Sequence, residues 1–145
     1  PINYRAQVAD MAVALAHPRL RGAANGELPA PPDPDDIPCA VARRTVRIAP
    51  NGDVFPCSTY PRPVGNVLKQ PLREIWAGGP ILDRLRNLRI KDLHGDCAGC
   101  SQGGYCGRCT AVALIEHGDE LGPARESCRL AEAKERALTL PVVGG

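Results

Sequence analysis

Four of the seven cysteines, Cys97, Cys100, Cys106 and Cys109, fall within thirteen residues. Five glycines, Gly95, Gly99, Gly103, Gly104 and Gly107, run through and just before them. A lone buried cysteine packs as a small hydrophobe, but this stretch has no apolar run for it to join. Glycine admits close approach of the backbone and positive φ. The pattern describes a cage in which thiolates and backbone N–H groups surround a metal ion or an inorganic cluster, in preference to disulfides or free thiols. Three further thiols, Cys39, Cys57 and Cys128, lie outside the loop.

Two chemistries suit such a set. A zinc ribbon places its two C-x2-C knuckles well apart, whereas Cys97–Cys100 and Cys106–Cys109 are separated by only five residues. One zinc ion could take those four and leave Cys39, Cys57 and Cys128 over. Two four-iron clusters account better for seven thiolates, with one position left to a non-cysteine ligand. Thiolate ligation fits either metal. Among other donors, His17, His94 and His117 are weak candidates, of which His94 precedes Cys97 closely enough to be a ligand. Asp33, Asp35 and Asp36 precede Cys39, and a carboxylate ligand from that trio is conceivable. No Ser/His/Asp set and no phosphate-binding glycine loop with a lysine is present.

The elements that must position these thiols are short. Glycine and proline number 15 each in 145 residues, and aromatics make up 3%. A core this thin needs a staple, which the cysteines supply. The net charge of +2 excludes a strong nucleic-acid or membrane field. No signal peptide or long apolar segment is seen, and seven is an odd number for a disulfide framework. A reducing, cytoplasmic setting is therefore expected.

Val8, Met11, Ala12 and Leu15 recur at helical spacing, so residues 1–20 are expected to open with a helix ended by Pro18. Residues 21–38 are proline-rich and read as an extended, semi-rigid linker. From Cys39 the pattern changes. The residues Thr45 to Ala49 and Asp53 to Phe55 flank Pro50-Asn51-Gly52 and predict a hairpin. Its outer ends should bring Cys39 and Cys57 together. Gly65-Asn66-Val67 reads as a turn. Leu72, Ile75 and Trp76 share a helical face ended by Gly78-Gly79, with Trp76 as an anchor. Ile81, Leu82, Leu85 and Leu88 continue at helical spacing. Residues 110–117 read as a helix, 118–123 as a turn, and a last helix opens at Cys128 with Leu130, Ala131, Ala133, Lys134 and Leu138. The expected fold is α+β, small and loop-rich: a β-hairpin and short helices stapled by two iron–sulfur clusters, over residues 39–138.

Taken together, these residues resemble the SPASM domain, the C-terminal auxiliary-cluster domain of radical S-adenosylmethionine enzymes that modify peptides. In that family a cysteine, nine to fifteen residues, glycine, four residues and a cysteine precede C-x2-C-x5-C-x3-C and a final cysteine. Here Cys39 is followed by twelve residues, Gly52, four residues and Cys57. Cys97, Cys100 and Cys106 match C-x2-C-x5-C, and Cys128 is the terminal cysteine. Gly65-Asn66-Val67, the segment from Leu72 to Trp76, and Leu85-Arg86 resemble the family's bridge between the cysteine groups. One departure is the spacing of Cys106 and Cys109, with two residues between them where the family has three.

The resemblance implies two clusters, presumed four-iron. Cys39, Cys57 and Cys109 would hold cluster I, and Cys97, Cys100, Cys106 and Cys128 cluster II. It implies electron transfer and docking of a peptide substrate, in partnership with a radical S-adenosylmethionine catalytic domain. The signature C-x3-C-x2-C of that domain is absent from these residues, so the chain is expected not to cleave S-adenosylmethionine alone. Residues 1–20 would then be the tail of the preceding barrel, and a chain that starts at Pro1 is expected to be a piece of a longer enzyme. The alternative function is a zinc-stabilised protein-interaction module.

Overall fold

In a computed structural model that describes residues 29–139, the hairpin forms where the alternation places it. Strand β1 (Arg47–Ile48) pairs antiparallel with β2 (Asp53–Phe55), Arg47 opposite Phe55 and Ile48 opposite Val54. The Gly52 N–H donates to the Ala49 carbonyl (2.9 Å), and the Ala49 N–H to the Asp53 carbonyl (2.8 Å). Gly52 has φ +85°, a conformation that costs any residue with a Cβ about 1–2 kcal/mol.

Gly65-Asn66, expected as part of a turn, is instead a third strand, β3 (Gly65–Asn66). It pairs antiparallel with β2, giving the order β1-β2-β3. Two residues are too few to show alternation, so the pairing is fixed by side-chain bonding. Asn66 Nδ2 donates to the Asn51 carbonyl (3.0 Å) and to Asp53 Oδ1 (2.9 Å), and Asn66 Oδ1 accepts the Leu68 N–H (2.8 Å). Gly65 sits against the next element so closely that a Cβ would lie 2.9 Å from the Ile75 side chain.

That element is α1 (Leu72–Ala77), with Ile75 buried, Trp76 half-buried and Leu72 on the rim at 36% exposure. Gly78-Gly79 breaks the chain before α2 (Pro80–Asn87), which opens on its proline and buries Leu82 and Leu85. Proline at the first helical position loses no hydrogen bond. Single 3₁₀ turns at Ile90–Asp92 and Gly95–Cys97 lead into the cysteine loop. Helix α3 (Thr110–His117) has the expected bounds and is closed by Gly118 at φ +71°. Helix α4 (Arg125–Thr139) begins three residues earlier than expected, which places Cys128 in its first turn. Glu116 Oε2 accepts the Arg125 N–H at 2.6 Å and so caps this start from α3. The inward face of α4 is Ser127, Cys128 and Ala131; Leu130 and Ala133 face out.

The core is Val41, Ala42, Tyr60, Leu82, Leu85, Ala111 and Leu114. Ala42 is fully buried at φ +60°. It is held there by its N–H to the Pro56 carbonyl (3.2 Å) and by Arg86 Nε to its own carbonyl (2.9 Å). The Arg86 guanidinium also lies 4.9 Å from the Trp76 ring centroid, so Trp76 anchors as expected. An antiparallel three-strand sheet segregated from short helices is an α+β arrangement. The helix expected in residues 1–20 lies outside the described residues. Of the proline-rich segment, residues 29–38 are docked: the Lys91 N–H donates to the Pro34 carbonyl (2.9 Å) and the Ile90 N–H to the Asp36 carbonyl (3.0 Å). Among the described residues, no helix is long and apolar enough to cross a membrane.

Candidate metal centre

All seven cysteines are free thiols, and they fall into two groups. Cys97, Cys100, Cys106 and Cys128 line one cavity of about 70 Å³, walled on its apolar side by Pro32, Ile37, Ile90 and Leu93. Tight turns bring the first three together. The Cys97 N–H donates to His94 (3.1 Å), Gly103 N–H to Cys100 (2.9 Å), Tyr105 N–H to Gln102 (3.0 Å) and Cys106 N–H to Gly103 (3.2 Å), each to the carbonyl. Helix α4 delivers the fourth thiol and is fastened to the loop on either side of it. Ser127 Oγ donates to the Gly107 carbonyl (3.3 Å), Lys134 Nζ to the Tyr105 carbonyl (3.2 Å) and Gln102 Nε2 to Glu135 Oε2 (2.7 Å).

Cys39, Cys57 and Cys109 are half-buried and pack against the core cluster on the other side of the loop. The Ala42–Pro56 bond draws together the segments carrying Cys39 and Cys57, as the hairpin argument expects. Cys57 Sγ accepts the Tyr60 N–H at 3.3 Å. Cys109 precedes the first turn of α3. Only Gly107 and Arg108 separate it from Cys106, so the chain passes from one thiol group to the other in two residues.

The electrostatics of the cavity ask for a cation. Burial pushes the Cys106 thiol up to about 11, and the neighbouring Cys128, Cys100 and Cys97 add to that shift. Burial likewise raises Cys128, again with Cys97 and Cys100 contributing. Four thiolates facing one another are unfavourable unless a positive centre lies between them, and a bound metal deprotonates its thiols outright. Among the described residues, no three His, Cys, Asp or Glu side chains converge closely enough to hold one metal ion. The thiols ring a space instead of meeting at a point, which suits a polynuclear cluster whose irons each take their own thiolate. A further mark of fit is Arg108, which lines the same cavity and whose buried Nε–H has no hydrogen-bond partner.

Not every candidate joins the thiols. His94 Nδ1 pairs with Asp119 Oδ2 at 3.0 Å, and His117 lies 3.7 Å from Glu116. His17 is outside the described residues. Asp35 is held by Lys91 at 2.5 Å, and Asp33 Oδ1 accepts the Asp35 N–H at 2.8 Å. Asp36 borders a separate cavity with Pro29, Pro32, Gly103 and Gly104. The glycines of the loop also divide. A Cβ on Gly104 would lie 2.5 Å from the Pro29 carbonyl oxygen, and one on Gly103 2.8 Å from Pro32, whereas Gly99 and Gly107 have open space around them. Gly103 and Gly104 admit the proline-rich segment, and Gly103 also lines the thiol cavity.

Residue patterns alone did not reveal Tyr60, Glu120 or Arg108. The Tyr60 O–H donates to Glu120 Oε2 at 2.8 Å, and Arg84 Nε lies 2.9 Å from Glu120 Oε1. The tyrosine is fully buried and the carboxylate nearly so. A glutamate within a turn-like run of glycine, aspartate and proline reads as solvated, and nothing local signals its partner 60 residues away.

Comparison with known proteins bears on the N-terminal part of this arrangement. Residues 39–101 match the SPASM family, described as an iron-sulfur cluster-binding domain. The chain is 39% identical over 70 residues to the AdoMet-dependent heme synthase of Methanosarcina barkeri, a stretch that is 48% of this chain and 20% of that protein. The chain thus spans only a small part of that relative's length. No solved structure matches. Over residues 39–101 the chain is thus similar to the SPASM iron–sulfur cluster-binding domain, and over 70 residues to a protein named as AdoMet-dependent.

Proposed function

We propose that this chain is the auxiliary iron–sulfur part of a radical S-adenosylmethionine enzyme, holding two four-iron clusters. Cys97, Cys100, Cys106 and Cys128 would hold one, and Cys39, Cys57 and Cys109 the other. The observation that carries the proposal is that the seven thiols divide into four around one cavity and three against the core. When bound, such clusters supply one-electron transfer at potentials set by charge, hydrogen bonding and exposure. The chain's own part is to exclude water from Cys106 with an apolar wall, leave Cys100 exposed, and donate the Tyr60 N–H to Cys57.

The second group has three thiols, so the fourth position of its cluster goes to a non-cysteine ligand or stays open. Asp35 and Asp36 are the nearest carboxylates in sequence to Cys39, and Asp36→Ala tests that position. The catalytic partner is a radical S-adenosylmethionine domain, in the same polypeptide or separate, and the setting is cytoplasmic. For the substrate, the family resemblance favours a peptide docked on this domain. The likeness to a protein named as a heme synthase favours a second reading, in which the substrate is a tetrapyrrole.

Anaerobic reconstitution followed by iron and sulfide analysis tests the central claim. About eight irons and eight sulfides per chain are expected for two four-iron clusters. Stoichiometric zinc without sulfide refutes it. Optical titration of the loaded chain with haem and with peptide libraries separates the two substrates.

A further inference from the structure

Arg108 stands between Cys106 of the cavity group and Cys109 of the core group. Its guanidinium is fixed by neutral acceptors. Nη2 donates to the carbonyls of Glu120 (2.5 Å) and Gly122 (2.6 Å), and Nη1 to Thr110 Oγ1 (3.2 Å). These bonds tie the loop to residues 120–122 and leave the positive charge without a bonded carboxylate. Its Nε–H is buried and, among the described residues, unpartnered, while the side chain lines the cavity of Cys97, Cys100, Cys106 and Cys128. A buried donor without an acceptor is destabilising, and more so on a charged group. Among the described residues Arg43, Arg47 and Arg108 each bury an Nε–H without a partner, and of the three Arg108 is the one that lines the thiol cavity.

We propose that Arg108 donates its Nε–H to a sulfur of the cluster held by Cys97, Cys100, Cys106 and Cys128, and thereby raises that cluster's reduction potential; this rests on the cluster-binding reading above. The acceptor the donor lacks is the group the four thiols call for. A hydrogen bond to cluster sulfur and a fixed positive charge in a water-poor cavity both favour the more negative, reduced state. Arginine suits the role because its planar fork can be clamped through two nitrogens while the third points elsewhere. Lysine cannot do both.

The test uses the whole chain, reconstituted anaerobically, as wild type and as Arg108→Lys. Iron and sulfide are measured first, then the midpoint potential by titration followed with electron paramagnetic resonance. The signal that vanishes in Cys128→Ala identifies the cavity cluster. The lysine variant should keep its iron and sulfide, yet show an oxidised-to-reduced ratio about tenfold higher at a fixed poise, about 59 mV for a one-electron couple. The core cluster should not move. An unchanged potential in a fully loaded variant overturns the proposal. Should Arg108→Lys fail to fold, wild-type protein grown with nitrogen-15 arginine decides. Pulsed resonance should then find a nitrogen-15 and an exchangeable proton coupled to the cavity cluster, and their absence overturns the proposal equally. A wild-type chain that takes up neither iron nor sulfide overturns the cluster-binding reading itself, which is a separate outcome.

Discussion

Tyr60 has the largest side chain with no exposed surface, and it carries a polar group into the core. Burial, and then its bond to Glu120, push its phenol up to about 12. An unfolded chain releases the same proton near 10. Between those values the folded state holds a proton that the unfolded state has lost, so stability is fully present below pH 10 and falls as pH rises towards 12. Tyr60→Phe should cost about 1–3 kcal/mol at neutral pH by leaving Glu120 short of a donor. It should also flatten the alkaline loss, which denaturant unfolding of both proteins at pH 8 and pH 11 will measure. The contrast with the cysteines is instructive. Their spacing reports chemistry because a cluster fixes where thiols must fall along a loop. Tyr60, Glu120 and Arg108 meet only through the tertiary fold, and a single side chain of common type carries no spacing to read.

At the scale of elements, the hairpin and α3 were legible because each satisfies its own backbone through a local signal: Asn51-Gly52 in one case, Gly118 in the other. Strand β3 was not, since its pairing depends on Asn66 reaching a turn fifteen residues away. The start of α4 was misplaced because its cap, Glu116, belongs to another helix. The proline-rich segment reads as an extended linker, whereas its described part turns at Asp33–Asp36 and is docked. It lies against Gly103 and Gly104, and that contact closes one wall of the thiol cavity through Pro32. Gly104→Ala, whose Cβ would collide with backbone and not with a movable side chain, should lower stability by about 1–3 kcal/mol and make the cavity cluster easier to strip. Gly107→Ala, with open space around it, should stay within about 0.5 kcal/mol of wild type. Thermal unfolding and the rate of iron loss to a chelator check both; equal behaviour of the two variants would show that the docked segment carries no weight.

For the molecule as a whole, the two thiol groups are interleaved along the chain, the first group supplying Cys39, Cys57 and Cys109 and the second lying on either side of Cys109. Each group therefore links segments far apart in sequence, and the small core leaves much of the holding to them. Cys128→Ala should remove about half of the iron, leave the core cluster's signal in place and free α4, seen as lost amide protection along that helix. Loss of the core cluster instead would reverse the division of ligands. That division is what the family likeness implies, whereas the packing around the two thiol groups, with Tyr60 and Ala42 in the core beside one and Pro32 and Leu93 beside the other, left no mark in the residue pattern. The cavity also has a consequence for how the protein is made. Its walls run from Pro32 to Cys128, so a ribosome building the chain from its N-terminus has produced three of the four thiols long before the fourth leaves the exit tunnel. Those three emerge as exposed nucleophiles on an unfinished chain, open to oxidation and to stray metal. Ligation by all four cavity thiols can therefore begin only once α4 has emerged.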